Sequence, residues 1–86
     1  MDITKIMNFR NKYDIDIIDY VAGVLNIDGK NHKVIALHVD GLNDSTADKL
    51  KHDKSVVKIG YAHYKYAPEI VRTIIYIKRW LRLYIC

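Results

Sequence analysis

The first half of the chain carries apolar residues at spacings of three and four. The residues that follow this spacing are Ile17, Ile18, Val21, Ala22 and Leu25. They predict a helix over about residues 16–26, with Asp14 or Asp16 accepting hydrogen bonds from the exposed N–H groups at its start. The alternative is a strand over residues 20–27 that turns back at Asp28-Gly29, a favoured hairpin dipeptide. We prefer the helix because a strand places the apolar residues of one face at a spacing of two.

Two further runs of residues predict strands. Residues 33–39 would place one set of apolar side chains, Ile35, Leu37 and Val39, on a single face. Residues 55–66 are rich in the β-branched and aromatic side chains that suit a pleated surface. The core predicted from these patterns consists of Ile18, Val21, Leu25, Ile35, Leu37, Val57 and Ile59.

Shorter segments connect these elements. After the first of these strands, a short polar helix begins at Asn43, Asp44 or Ser45, whose side chains cap helix N-termini, and ends at about His52. At the start of the chain, residues 2–9 fit either an edge strand or a short helix.

The last segment, residues 70–86, fits a helix or a strand, and this choice decides the fold. As a helix it carries an apolar stripe at alternating spacings of four and three. As a strand it follows a hairpin connection at residues 67–69, with Pro68 at a turn position. Six of the eight residues from Ile70 to Ile77 are β-branched, and such side chains lose freedom in a helix and pack well in a sheet.

These elements predict an α+β domain that spans residues 1–86. Its sheet would be small and mixed, with two helices on one face and the order β-α-β-α-β-β. If the last segment is helical, the order becomes β-α-β-α-β-α.

Charge is divided unevenly between the two halves of this 86-residue chain, whose net charge is +4. Residues 1–46 hold five Lys and Arg against seven Asp, whereas residues 47–86 hold nine Lys and Arg against three Asp and Glu. A basic half indicates an anionic partner, nucleic acid first and a membrane surface second. Lys49 and Lys51 are assigned to a solvated helix face.

No catalytic, metal or cofactor motif is present in the sequence. The four histidines are scattered without ligand spacing, and the single cysteine, Cys86, excludes an internal disulfide and a cysteine-based zinc site. The start of the chain is too polar for a signal peptide, and the apolar run at the end is too charged to span a bilayer. We therefore expect a protein without enzymatic activity, located in the cytoplasm or associated with the nucleoid.

Three local sequences add a family resemblance. They are Asp19-Tyr20-Val21-Ala22, the spacing of Gly41, Ser45 and Ala47, and Lys58-Ile59-Gly60 with the later segment Val71-x-Thr-Ile-Ile-Tyr-Ile-Lys-Arg. Together with the predicted element order, they resemble the Alba family of small basic nucleic-acid-binding proteins. The resemblance implies that the last segment is a strand in a hairpin arm, and that the protein associates with chromatin or RNA.

The sequence thus predicts a protein that binds the phosphate backbone of DNA or RNA with low sequence specificity. The residues predicted to contact phosphates are Arg10, Lys12, Lys58, Lys65, Arg72 and Lys78. A homodimer is expected, because a small domain with apolar residues on both sides of a terminal strand has more apolar surface than its own core can bury. The alternative function is a small viral or regulatory protein-interaction module that uses an amphipathic terminal segment, and binding of that segment to a membrane surface is a further alternative.

Overall fold

Two helices and four strands follow one another in the order α-β-β-α-β-β. The computed structural model describes residues 3–63, 65–67 and 69–79. Its elements are α1 (Ile3–Tyr13), β1 (Asp16–Ile27), β2 (Lys30–Asp40), α2 (Asp44–Lys51), β3 (Val56–His63) and β4 (Val71–Lys78). The strands form one antiparallel sheet in the order β1-β2-β4-β3. The predicted order β-α-β-α-β-β and the predicted mixed sheet are therefore wrong.

The main error is the helix predicted over residues 16–26, which is the strand β1. Its apolar spacing fits a helix, but half of its residues are β-branched or aromatic, and Gly23 in its middle would destabilise a helix by about 1 kcal/mol relative to alanine. Asp28 and Gly29 both adopt positive φ, at 52° and 81°. Positive φ at both central residues defines the tight hairpin turn whose twist matches the flanking strands. The hairpin then pairs β1 with β2 from Asp16–Asp40 to Ile27–Lys30.

The first element is a helix, so the strand alternative for residues 2–9 is wrong over the described part. Ile6 and Phe9 are buried on one side of α1, and the Phe9 and Tyr13 rings pack with centroids 4.9 Å apart. Asp14 follows the helix with φ 51°, and the N–H of Ile15 donates to the carbonyl of Arg10. This is the Schellman ending of a helix. Asp14 therefore ends α1, whereas Asp14 or Asp16 was expected to cap the start of a later helix.

The second half of the chain follows its predicted elements more closely. Asn43 caps α2, with its side chain accepting from the N–H of Thr46 at 2.8 Å. β3 ends three residues earlier than expected, and β4 makes the described part of the last segment a strand. The helical alternative for that segment is wrong for Val71–Lys78. Residues 80–86, which include Cys86, and Pro68 lie outside the described residues.

Both helices pack against the same face of the sheet. The buried cluster there consists of Ile6, Phe9, Ile15, Ile35, Leu37, Val39, Leu50, Ile75 and Ile77. The prediction of a buried Ile35 and Leu37 is confirmed, and Val57, Ile59 and Leu25 are half-buried. Ile18 and Val21, predicted as core from the helical pattern, are 50% and 55% exposed. They are exposed because β1 lies at the edge of the sheet, with a register shift between Ile17 and Asp19.

Candidate nucleic-acid interface

The sheet has a second face, turned away from the helices, which we call the far face. Its residues follow from the strand register and from the alternation of side chains along each strand. They are Asp19, Val21, Gly23 and Leu25 on β1; His32, Val34, Ala36 and His38 on β2; Arg72, Ile74, Tyr76 and Lys78 on β4; and Lys58, Gly60 and Ala62 on β3. Neither described helix contributes to this face.

Three of the predicted phosphate contacts lie together on the far face. Lys78 is the cross-strand partner of Val34, Lys58 is the partner of Tyr76, and Arg72 is the partner of Ala62. Lys58 and Lys78 are exposed and Arg72 is half-buried. The register therefore places three cations on the adjacent strands β3 and β4.

An aromatic ring lies among these cations. Tyr76 is half-buried between Lys58 on β3 and Ala36 on β2. A Cβ atom built on Gly60 would lie 3.3 Å from Cε2 of Tyr76, which is closer than ordinary van der Waals contact. The missing side chain of Gly60 thus gives the Tyr76 ring room to lie against β3. Such a ring offers a π-face on which an unpaired base can stack.

The β1–β2 side of the far face carries carboxylates. Asp19 is the cross-strand partner of His38, and Asp16 pairs with Asp40 near the same end of β1. Like charges repel, so an extended polyanion is favoured along β3 and β4, close to Lys58 and Lys78, and disfavoured over the start of β1.

Arg10 and Lys12 lie elsewhere, in the last turn of α1. Because α1 packs on the opposite side of the sheet, the structure does not bring them together with the far-face cations. Lys12 forms an ion pair with Asp53 at 3.2 Å. The hydrogen bond and the charge of Asp53 raise the pKa of Lys12, so this lysine stays charged but is partly neutralised by its partner.

Asp53 is the centre of a small polar network that fixes α1 to the turn before β3. It accepts hydrogen bonds from the Tyr13 hydroxyl, from the Ser55 backbone and hydroxyl at 2.8 and 2.7 Å, and from Lys12. Burial alone would raise the pKa of Asp53, but these hydrogen bonds outweigh it and hold the pKa well below its usual range. Burial, followed by the hydrogen bond to Asp53, raises the pKa of Tyr13. The network is structural in character.

The sixth predicted contact, Lys65, lies in the connection between β3 and β4. Its ammonium group is 5.6 Å from the centroid of the Tyr66 ring, and both residues are exposed. They line a cleft of about 490 Å³ at the end of the sheet, which is otherwise formed by Ile18, Asp40, Ala67, Ile70, Val71 and Arg72. The cleft is mostly apolar and carries both signs of charge.

A smaller cleft of about 130 Å³ opens beside it, lined by His38, Ala62, His63 and Arg72. Nδ1 of His38 is buried and has no hydrogen-bond partner among the described residues. No sequence pattern groups these residues, because they come from three strands and the four histidines show no common spacing. Two-residue alternation does place His38 and Arg72 on particular strand faces, but only the strand order brings those faces together.

Among the described residues, no group of three or more His, Cys, Asp or Glu could hold a metal ion. In the same part of the chain, neither helix combines the length and the apolar character needed to cross a bilayer.

Comparison with protein-family models, with curated proteins and with solved structures finds no match to this chain. Of the three segments that carry the Alba resemblance, one lies in another element than expected. Asp19-Tyr20-Val21-Ala22, assigned to a first helix, lies in β1, and the chain begins with a helix.

Proposed function

We propose that this chain is a non-enzymatic nucleic-acid-binding protein that contacts the phosphate backbone of DNA or RNA through the β3–β4 half of the far face. The observation that carries the proposal is the presence of Lys58, Arg72 and Lys78 on one face of two adjacent strands. It does not depend on the family resemblance.

The chemistry of this surface favours backbone contacts over base readout. Lysine ammonium groups neutralise phosphates and release condensed counterions, which gives affinity without sequence information. Tyr76 adds a ring on which a base of a single strand can stack, and stacking tolerates any base. No carboxylate or amide of the described residues lies on the β3–β4 half of this face, so a pattern of acceptors for base edges is missing there.

The test is a titration of the whole protein with duplex DNA, single-stranded DNA and RNA at several salt concentrations. We expect binding at low salt that weakens linearly with the logarithm of the salt concentration. Stronger binding to single strands than to the duplex would indicate that bases stack on Tyr76. The variant Tyr76→Leu should then lose this preference for single strands. If the protein binds none of the three at low salt, the proposal is wrong.

The expected homodimer is proposed to form through β1. Among the described residues no strand pairs with the outer edge of β1, and unpaired backbone groups on an edge strand are a template for another strand. Ile18, Tyr20, Val21 and Val24 are between 37% and 62% exposed on this strand. Residues 20–25 carry no charge and no proline, so the usual protection against edge pairing is absent there.

Two copies of β1 paired antiparallel about a two-fold axis would hide these side chains and join the two sheets. Sedimentation under reducing conditions at micromolar concentration should show a dimer. Val24→Lys, at the edge, should give a monomer, while Val71→Lys, an equally drastic change at an exposed position of the central strand β4, should not. A monomeric wild type, or equal effects of the two substitutions, would refute pairing through β1.

A further inference from the structure

We propose that two copies of the chain join through residues 20–24 of β1 with the two-fold axis at Ala22, so that Tyr20 of each copy packs against the partner's Val24. The inference rests on the homodimer proposed above. It adds the register of the interface, which is the set of residues that lie opposite each other on the two strands. The register decides the surface of the dimer, because a slip by one residue turns every side chain of a strand to the other face of the sheet.

The first argument is the direction of the free backbone groups of β1. Asp28 and Gly29 form a two-residue turn with positive φ at both positions, and the residues that flank such a turn form a hydrogen-bonded pair. These residues are Ile27 and Lys30, and the ladder continues from them without a register shift as far as Asp19. Hydrogen-bonded and non-hydrogen-bonded pairs alternate along an antiparallel ladder. The N–H and C=O groups of the even-numbered residues from 20 to 26 therefore point to the outer edge, where a second strand must place its own even-numbered residues opposite them.

The second argument is an apolar strip on the helix side of β1. Tyr20 lies opposite Leu37, and Ala22 lies opposite Ile35, and both of these β2 residues belong to the buried cluster. Side chains that lie opposite each other share a face, so Tyr20, Ala22 and Val24 are on the helix side. Tyr20 and Val24 are nevertheless 37% and 62% exposed, so neither described helix covers this part of β1. An axis at Ala22 places each of these three residues opposite an apolar residue of the partner strand.

Other positions of the axis would bury less of this strip. An axis at Gly23 would place Tyr20 opposite Asn26, a polar residue whose side chain is hydrogen-bonded within its own hairpin. An axis two positions earlier would place Val24 opposite Ile18, the extra residue at the register shift, where a bulged strand bends and pairing is disrupted. An axis at Val24 would place Tyr20 opposite the turn itself. The pairing of an aromatic ring with a β-branched side chain, which stabilises neighbouring strands, is obtained with the axis at Ala22.

The third argument is the glycine in the middle of β1. Gly23 does not have positive φ, and a Cβ atom built on it would have no atom of the described residues within 4 Å. Neither the backbone conformation nor the space within the chain therefore requires a glycine there. A glycine inside a strand often marks the close approach of another backbone or a ligand. With the axis at Ala22, the residue opposite Gly23 is the partner's Val21, a side chain of the far face that is 55% exposed in the single copy.

The test is disulfide cross-linking of single-cysteine variants, all of which carry Cys86→Ser and are studied without nucleic acid. In this register Val21 and the partner's Gly23 form a non-hydrogen-bonded pair with Cα atoms about 4.5 Å apart, a distance that suits a disulfide. Two copies of the same position are two residues out of step and about 8 Å apart, which is too far for a disulfide. We expect a cross-linked dimer when Val21→Cys is mixed with Gly23→Cys and oxidised, and none when either variant is oxidised alone.

A second pair of variants tests the other face of the strand. Tyr20→Cys mixed with Val24→Cys should also cross-link, because these residues form a hydrogen-bonded pair with Cα atoms about 5.5 Å apart. Neither variant should cross-link alone. Thermal unfolding checks that each variant folds, and the second pair keeps the register testable if a substitution in the first pair prevents folding. Val71→Cys, at an exposed position of the central strand β4, is the control and should not cross-link alone or in any mixture.

Cross-linking of Gly23→Cys alone would place the axis at Gly23 and overturn this register, and the absence of cross-links in both mixtures would overturn it as well. A monomeric wild type would overturn both the homodimer and its register. These outcomes are distinct from nucleic-acid binding. If the protein binds DNA or RNA but the mixtures do not cross-link, the register is wrong and the proposed function stands. If the mixtures cross-link as expected but no nucleic acid binds at low salt, the register stands and the proposed function is wrong.

Discussion

Removing charge from opposite sides of the sheet is the sharpest test of the proposed interface. The double variant Lys58→Gln/Lys78→Gln removes two exposed cations from the far face. The control, Lys49→Gln/Lys51→Gln, removes two exposed cations from α2, on the other side of the sheet. Both variants lower the formal net charge from +4 to +2, so a general effect of charge is the same in each.

The expected size of the effect follows from the number of phosphate contacts. Each phosphate neutralised on duplex DNA contributes about −0.9 to the slope of log affinity against log salt, so losing two contacts should make the slope shallower by about 1.8. When the salt concentration rises from about 50 to 200 mM, the affinity of both proteins falls. The factor by which it falls should be roughly ten times smaller for the far-face variant than for the wild type. The α2 variant should keep the wild-type slope.

Fluorescence anisotropy with a labelled duplex and a labelled single strand, at four or more salt concentrations, measures these slopes. Since all four lysines are exposed, each substitution should change stability by no more than about 0.5 kcal/mol, and thermal unfolding checks this. If the two double variants weaken binding to the same degree and with the same slope, only net charge matters. The far face would then not be an interface.

Two further predictions concern the fold. Leu37→Ala should lower the free energy of unfolding by about 2–5 kcal/mol, because Leu37 is fully buried in the centre of the sheet. Urea denaturation measures this change, and a change within about 0.5 kcal/mol would contradict the burial of Leu37. Asp53→Asn should cost about 1–3 kcal/mol at neutral pH through the hydrogen bonds from Tyr13 and Ser55. The folded state holds the pKa of Asp53 below its usual value, so this stability is present above pH of about 4 and is lost as the pH falls further. The difference between variant and wild type in urea denaturation should therefore shrink in acid, and a difference that is constant with pH would contradict the account.

Local chemistry determined several elements from the sequence alone. The cap at Asn43 and the strand β2 follow from side-chain preferences and alternation that operate within a few residues. The β-branched run from Ile70 to Ile77 also favoured the strand that β4 forms. In each case the local preference and the tertiary structure agree, so the prediction did not depend on which neighbours the segment meets.

The segment that became β1 shows what sequence could not decide. Its apolar spacing fits a helix, while its β-branched residues and its Asp28-Gly29 turn fit a hairpin. The intrinsic preferences of residues for helix or strand differ in free energy by about 1 kcal/mol per residue or less. Long-range pairing between strands overrides preferences of this size. Here the pairing with the whole length of β2 decided the outcome.

The candidate interface depended on tertiary structure in the same way. Alternation placed Lys58 on one face of its strand, and Arg72 and Lys78 on one face of theirs, but each strand alone leaves open which face meets the helices. That choice was made when Ile75, Ile77 and the helices buried their apolar side chains together. Burying that face turned the three cations to the far side of the sheet, because side chains on a strand alternate and only one face can be covered by the helices.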